Sequence, residues 1–107
     1  MSKYETVLRT PELGPGGLKE VAAHGRRLVL ANVGQTYYAL DAECPEDGTN
    51  LAREGRLEGD LLVCPRDHAS FDVRDGRRAD RRGRALRRYP LVVSGNDVQV
   101  GSTAETQ

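Results

Sequence analysis

Thr36-Tyr37-Tyr38-Ala39-Leu40-Asp41-Ala42-Glu43-Cys44-Pro45 and Asp60-Leu61-Leu62-Val63-Cys64-Pro65 end alike, each a short apolar run that leaves through a Cys-Pro step. The runs 36–41 and 60–64 have the composition and length of strands. The loops that follow are Cys44-Pro45-Glu46-Asp47-Gly48 and Cys64-Pro65-Arg66-Asp67-His68, and they hold both cysteines of the chain. A repeated Cys-Pro at two strand ends predicts two loops that face each other with their sulfurs converging. A reduced pair holding a metal, a disulfide, and two inert buried thiols are the three chemical readings of such a pair.

Outward from these loops the same punctuation continues. Short runs rich in Val, Leu and Tyr predict further strands at 4–8, 18–23, 27–33, 70–73, 86–94 and 97–100. His24-Gly25, Gly34-Gln35, Asp75-Gly76 and Gly95-Asn96 are tight-turn pairs, because their residue types tolerate positive φ. A helix start occurs only around Thr10, Pro11 and Glu12, and Gly14 closes it within a turn. The expected architecture is an all-β barrel or sandwich with Val7, Leu18, Leu28, Leu30, Tyr38, Leu40, Leu62, Phe71, Val73, Leu91, Val93, Val98 and Val100 inside. Tyr37 and Tyr38 would point to opposite faces, one into the core and one to solvent. His24 reads as a turn residue. At 107 residues the chain makes one domain, with a core over 4–100 and a tail over 101–107 that has nothing to bury.

Sixteen basic residues balance sixteen acidic ones, so no long-range field favours nucleic acid or anionic lipid. No apolar run approaches the ~18 residues of a membrane helix, and the first residues lack the apolar stretch of a secretion signal, so the expected compartment is the cytoplasm. The charges are unevenly placed. Seven acids lie between Asp41 and Asp60 against Arg53 and Arg56, and eight arginines lie between Arg74 and Arg88 against Asp75 and Asp80. Such a bipolar chain carries either a surface salt-bridge network or a docking face for an acidic protein, formed by Arg77, Arg78, Arg81, Arg82 and Arg84. No aromatic residues interleave the arginines, which argues against nucleic acid.

In this order and spacing, Tyr38-Ala39-Leu40-Asp41, Cys44-Pro45, 54–60 (EGRLEGD), Leu62-Val63-Cys64-Pro65, Ala69-Ser70-Phe71-Asp72-Val73, Asp75-Gly76, Tyr89-Pro90-Leu91 and Asp97-Val98 resemble the Rieske family of small [2Fe-2S] proteins and ferredoxins. The resemblance runs from about residue 4 to 100. It implies three small antiparallel sheets with the two Cys loops at one tip, and electron transfer to or from an oxygenase or reductase partner. The family's pattern is Cys-x-His then Cys-x-x-His, with cysteines on one iron and imidazoles on the other. Here Cys44 and Cys64 are kept, Glu46 stands at the first imidazole position, Asp67 at the second, and His68 one place late. The stretch between Glu46 and Cys64 is one residue longer than usual, near Ala52-Arg53. The proline-rich loop that often shields the cluster corresponds to 77–88, which has no proline.

Two ligand sets follow from the resemblance. Cys44, Glu46, Cys64 and Asp67 would hold an iron pair with altered ligands, and the added carboxylate charge would lower its potential. A one-residue slip would bring in His68 instead, giving a set that also suits tetrahedral zinc or iron. The competing reading is a Rieske-fold interaction subunit without cluster or metal, resembling the small subunits of certain nitrite reductases, its cysteines thiols or a disulfide. No catalytic constellation can be argued from spacing. The chain therefore reads as a non-catalytic electron-transfer or accessory component, a monomer in isolation.

Overall fold

The computed structural model is described for residues 3–66, 69–80 and 83–102. Its centre is a pair of hairpins. β2 (Leu18–Ala23) turns through His24 and Gly25, at φ 54° and 76°, into β3 (Arg26–Val33), which turns through Gly34 and Gln35, at φ 58° and 75°, into β4 (Thr36–Asp41). The double positive φ is what a two-residue hairpin needs. Registers Leu18↔Ala31 and Leu28↔Asp41 follow, and β8 (Arg88–Tyr89) adds to the free side of β4, giving the order β2-β3-β4-β8.

β3 buries five consecutive residues, Leu28, Val29, Leu30, Ala31 and Asn32, each 1% exposed or less. A strand covered on one face would alternate; this one is covered on both. Leu28 and Leu30, with Ala39 of β4, face a core closed by Leu8, Val98 and Val100 from the sheet of β1 (Tyr4–Arg9), β10 (Asp97–Gly101) and β9 (Leu91–Ser94). Val29 and Ala31, with Leu40, face a second core. That core is filled by Leu51 of α1 (Leu51–Glu54) and by Leu62 and Phe71 from the sheet of β5 (Arg56–Glu58), β6 (Leu61–Val63) and β7 (Ser70–Asp72). Full burial of such side chains stabilises by roughly 1.5–3 kcal/mol each. The all-β architecture of three antiparallel sheets is the expected one.

Several details differ from the sequence reading. The run 86–94 splits at Pro90, which has no N–H to donate, and its halves join different sheets as β8 and β9. β9 is an edge strand, so Val93 is 44% exposed instead of core. Tyr37 and Tyr38 are both half-buried, one packed on each core, because the central sheet has no free face. β5 and α1 were not expected; α1 exists because the Asn50 side chain accepts the amides of Ala52 and Arg53 at 3.0 and 3.2 Å and Leu51 is fully buried. Strand pairing also runs through Gly101, and the Ser102 amide donates to Lys3 O at 2.8 Å.

Gly76 positions the chain that returns toward the tip. It sits at φ 79°, its carbonyl accepts the Leu86 amide at 2.8 Å, and a Cβ there would strike the Leu86 carbonyl. Gly76→Ala is expected to lower stability by more than the ~1–2 kcal/mol of left-handed backbone alone, read as a lower midpoint in urea unfolding. An unchanged midpoint would show that this contact does not hold the 84–87 segment.

Candidate metal centre

The first Cys loop is pinched at its base. Glu43 and Asn50 form a bridge, the Leu51 amide donates to Ala42 O at 2.6 Å, and the Cys44 amide donates to Thr49 O at 2.8 Å. Gly48, at φ 78°, turns the loop back so that its amide reaches Cys44 O at 2.8 Å. The second loop links β6 to β7 and is closed by the Cys64 amide on Ala69 O at 2.8 Å. Cys44, Cys64 and Ala69 are buried on the second core, which fixes both loops to one floor. Neither cysteine is in a disulfide, and their sulfurs and an Asp47 carboxylate oxygen all lie within 4.8 Å of one another.

Asp47 is a short acid on an Asx turn, its Oδ1 accepting the Thr49 amide at 2.9 Å. Its Oδ2 accepts the Cys64 thiol at 3.9 Å, and the Cys44 thiol also hydrogen-bonds to the carboxylate. The carboxyl is held below the usual range chiefly by Thr49, first through its hydroxyl, which is close but reaches no well-formed hydrogen bond, then through its amide; Cys44 and Arg66 add to this against a burial cost. One ionised carboxylate therefore faces two thiols and accepts hydrogen bonds from them. As a donor set, two sulfurs and one oxygen around a common point suit a single ion. Bonds of about 2.3 Å to sulfur and 2.0 Å to oxygen give tetrahedral edges of about 3.5–3.8 Å.

The carboxylate beside the sulfurs is not that of Glu46. Glu46 accepts Arg78 Nη1 at 2.8 Å, and the same guanidinium grips Asp80 through Nε at 3.1 Å and Nη2 at 2.8 Å. Gly83 permits this closure, since a side chain there would strike both the Glu46 carboxylate and Arg78. The expected ligand position is thus occupied by an ion pair, and its neighbour Asp47 takes the inner place. Asp47-Gly48-Thr49 carried the signal, an acid two residues before an amide it can accept. Asp67 and His68 lie outside the described residues, as do Arg81 and Arg82.

Two ion pairs join the acidic and the basic segments. Arg78 holds Glu46, and Arg74 holds Asp72 at 2.7 Å and reaches Asp60 at 3.8 Å. The described parts of the proline-free stretch lie against the molecule: Leu86 is buried in the second core, and Arg87 O accepts the Asp41 amide at 3.0 Å.

A two-imidazole cluster does not fit this chain. It has two histidines in all, and His24 is engaged elsewhere, its Nε2 2.9 Å from Val100 O and its Nδ1 3.8 Å from Glu5. At most one imidazole remains for a site that would require two.

The sequence profile of the Rieske [2Fe-2S] domain matches residues 3–90. The biphenyl dioxygenase ferredoxin subunit of Pseudomonas sp. is 28% identical over 90 residues, covering 83% of each chain. A chain in the solved complex of reduced oxygenase and oxidized ferredoxin in carbazole 1,9a-dioxygenase superposes with a TM-score of 0.88 at 25% identity, covering 97% of both. The putative NADH-dependent nitrite reductase small subunit from Mycobacterium tuberculosis shares the fold, with a TM-score of 0.84 at 20% identity over 98% of this chain and 99% of that one.

Asp47 and Glu46 can be told apart by zinc titration of the reduced protein. Asp47→Asn is expected to weaken zinc by more than about tenfold, since even indirect partners of metal ligands cost 10–100-fold, while Glu46→Gln leaves the affinity unchanged. The reverse order would return Glu46 to the site.

Proposed function

The chain belongs to the Rieske [2Fe-2S] domain family, and from that premise we propose that it is a ferredoxin-type electron-transfer component of an oxygenase system whose tip holds iron through Cys44, Cys64 and Asp47. The observation that carries this reading is the convergence of two buried thiols and one carboxylate. Iron held there would supply one-electron chemistry. The rest falls to the chain's own residues. The two loop closures hold the sulfurs against the second core. Asp47, kept ionised by Thr49, offers its oxygen without first losing a proton. The Arg78–Glu46 pair keeps a second carboxylate out of the site.

Two thiolates and a carboxylate carry one more negative charge than two thiolates and two neutral imidazoles, which stabilises the oxidised state and lowers the potential. A pair of cysteines without a disulfide suits a reducing compartment, and we place this work in the cytoplasm; among the described residues no helix is long and apolar enough to cross a membrane. The oxygenase partner follows from the ferredoxin subunits and the oxygenase–ferredoxin complex that this chain resembles.

A second reading has its own support. Asp47 accepts both thiols, so the trio is satisfied without any ion, and the nitrite reductase small subunit shares the fold. On that reading the chain is an accessory subunit with no metal.

Anaerobic purification separates the two. Iron is expected in the wild-type protein, reducible by dithionite at a potential below that of a two-imidazole Rieske protein measured alongside, and lost in Cys64→Ser. Iron-free protein with two titratable thiols supports the accessory subunit, and iron retained in Cys64→Ser contradicts the ligand assignment.

A further inference from the structure

Beside the first Cys loop lies an open cleft of ≈ 640 Å³. Its lining includes Arg26 and Arg27 at the start of β3, Arg84 and Arg87 of the 84–87 segment, and Cys44 and Pro45. All four arginines are exposed. Five arginines outside the cleft hold carboxylates: Arg53 takes Glu20, Arg56 takes Glu58, Arg66 takes Glu54, and Arg74 and Arg78 take two each. Among the described residues none of the four cleft arginines lies in an ion pair. Arg26 donates to the Tyr89 hydroxyl at 3.2 Å, and Arg27 reaches only the distant field of Glu20.

Two acids also line the cleft, Asp41 and Glu43, and Asp41 is taken by the Tyr89 hydroxyl at 2.7 Å. Four guanidiniums against two carboxylates leave a local surplus of positive charge on a chain whose formal net charge is +0. Guanidinium forks are suited to carboxylates, and an exposed, unpaired set of them is complementary to an acidic surface. The four come from two separate segments, the start of β3 and residues 84–87, which suits several side-chain carboxylates better than one compact anion.

We propose that this cleft seats an acidic segment of the partner protein, an extended run bearing several Asp or Glu side chains. The proposal rests on the reading that the tip meets a partner, and it adds where and by what chemistry. A segment lying in the cleft touches the Cys44 loop itself, so docking and the metal centre share one wall. The docking residues are then Arg26, Arg27, Arg84 and Arg87. Arg78, expected from the sequence to dock, is spent on Glu46 and Asp80.

Calorimetric titration of the full chain with hexaglutamate at low salt tests this, with hexaglutamine and inorganic phosphate as comparison arms. Hexaglutamate is expected to bind, to weaken as sodium chloride is raised, and to lose at least about tenfold in affinity in Arg84→Glu/Arg87→Glu. The Arg84→Lys/Arg87→Lys variant should keep most of the binding, and Arg56→Glu, outside the cleft, should change nothing. Equal loss in Arg56→Glu, no loss in the Arg84/Arg87 reversal, or phosphate binding as tightly as the peptide would each overturn the proposal. Iron content of the same samples keeps the two readings apart: an iron-free chain that still binds hexaglutamate through these arginines retires the electron-transfer reading and leaves the cleft standing.

Discussion

The burial of β3 on both faces is the constraint from which the tip derives its shape. Leu28 and Leu30 belong to one core, Val29 and Ala31 to the other, and no residue between them is free to face water. Because a strand's side chains alternate, a one-residue slip of β3 would exchange the two sets and unpack both cores together. The register of the central sheet is therefore strongly determined. That register sets where β4 ends, hence where the first Cys loop begins. The second loop is set independently, by Leu62 and Phe71 packing on the same core. Two segments distant in sequence meet because they share one apolar floor.

The polar layer above this floor sorts the carboxylates. Glu46 and Asp47 are neighbours in sequence with opposite fates: the longer side chain reaches out to Arg78, and the shorter folds back on the Thr49 amide toward the sulfurs. Exposed ion pairs add little to stability in water. Their consequence here is positional, since they fix which acid is inside and which arginines remain outside to meet something else.

Much of this was legible in the chain. His24-Gly25 and Gly34-Gln35 announced their hairpins through residue types that accept positive φ, and the Cys-Pro steps marked both loops at the ends of real strands. α1 was not legible, because four residues show no period; its causes are the Asn50 cap and the burial of Leu51, one local and one tertiary. The ion pair of Glu46 was not legible for a related reason. Its partner lies 32 residues away, and a motif position carries no knowledge of such a contact. Val93 looked like core by alternation, yet its strand is at a sheet edge, a fact of topology and not of composition.

Both sulfurs and the Asp47 carboxylate converge on one point. X-ray absorption at the zinc edge of the zinc-loaded wild-type chain reads this directly. Two sulfur neighbours at about 2.3 Å and oxygen or nitrogen neighbours at about 2.0–2.2 Å are expected. A shell with one sulfur or none would contradict this convergence.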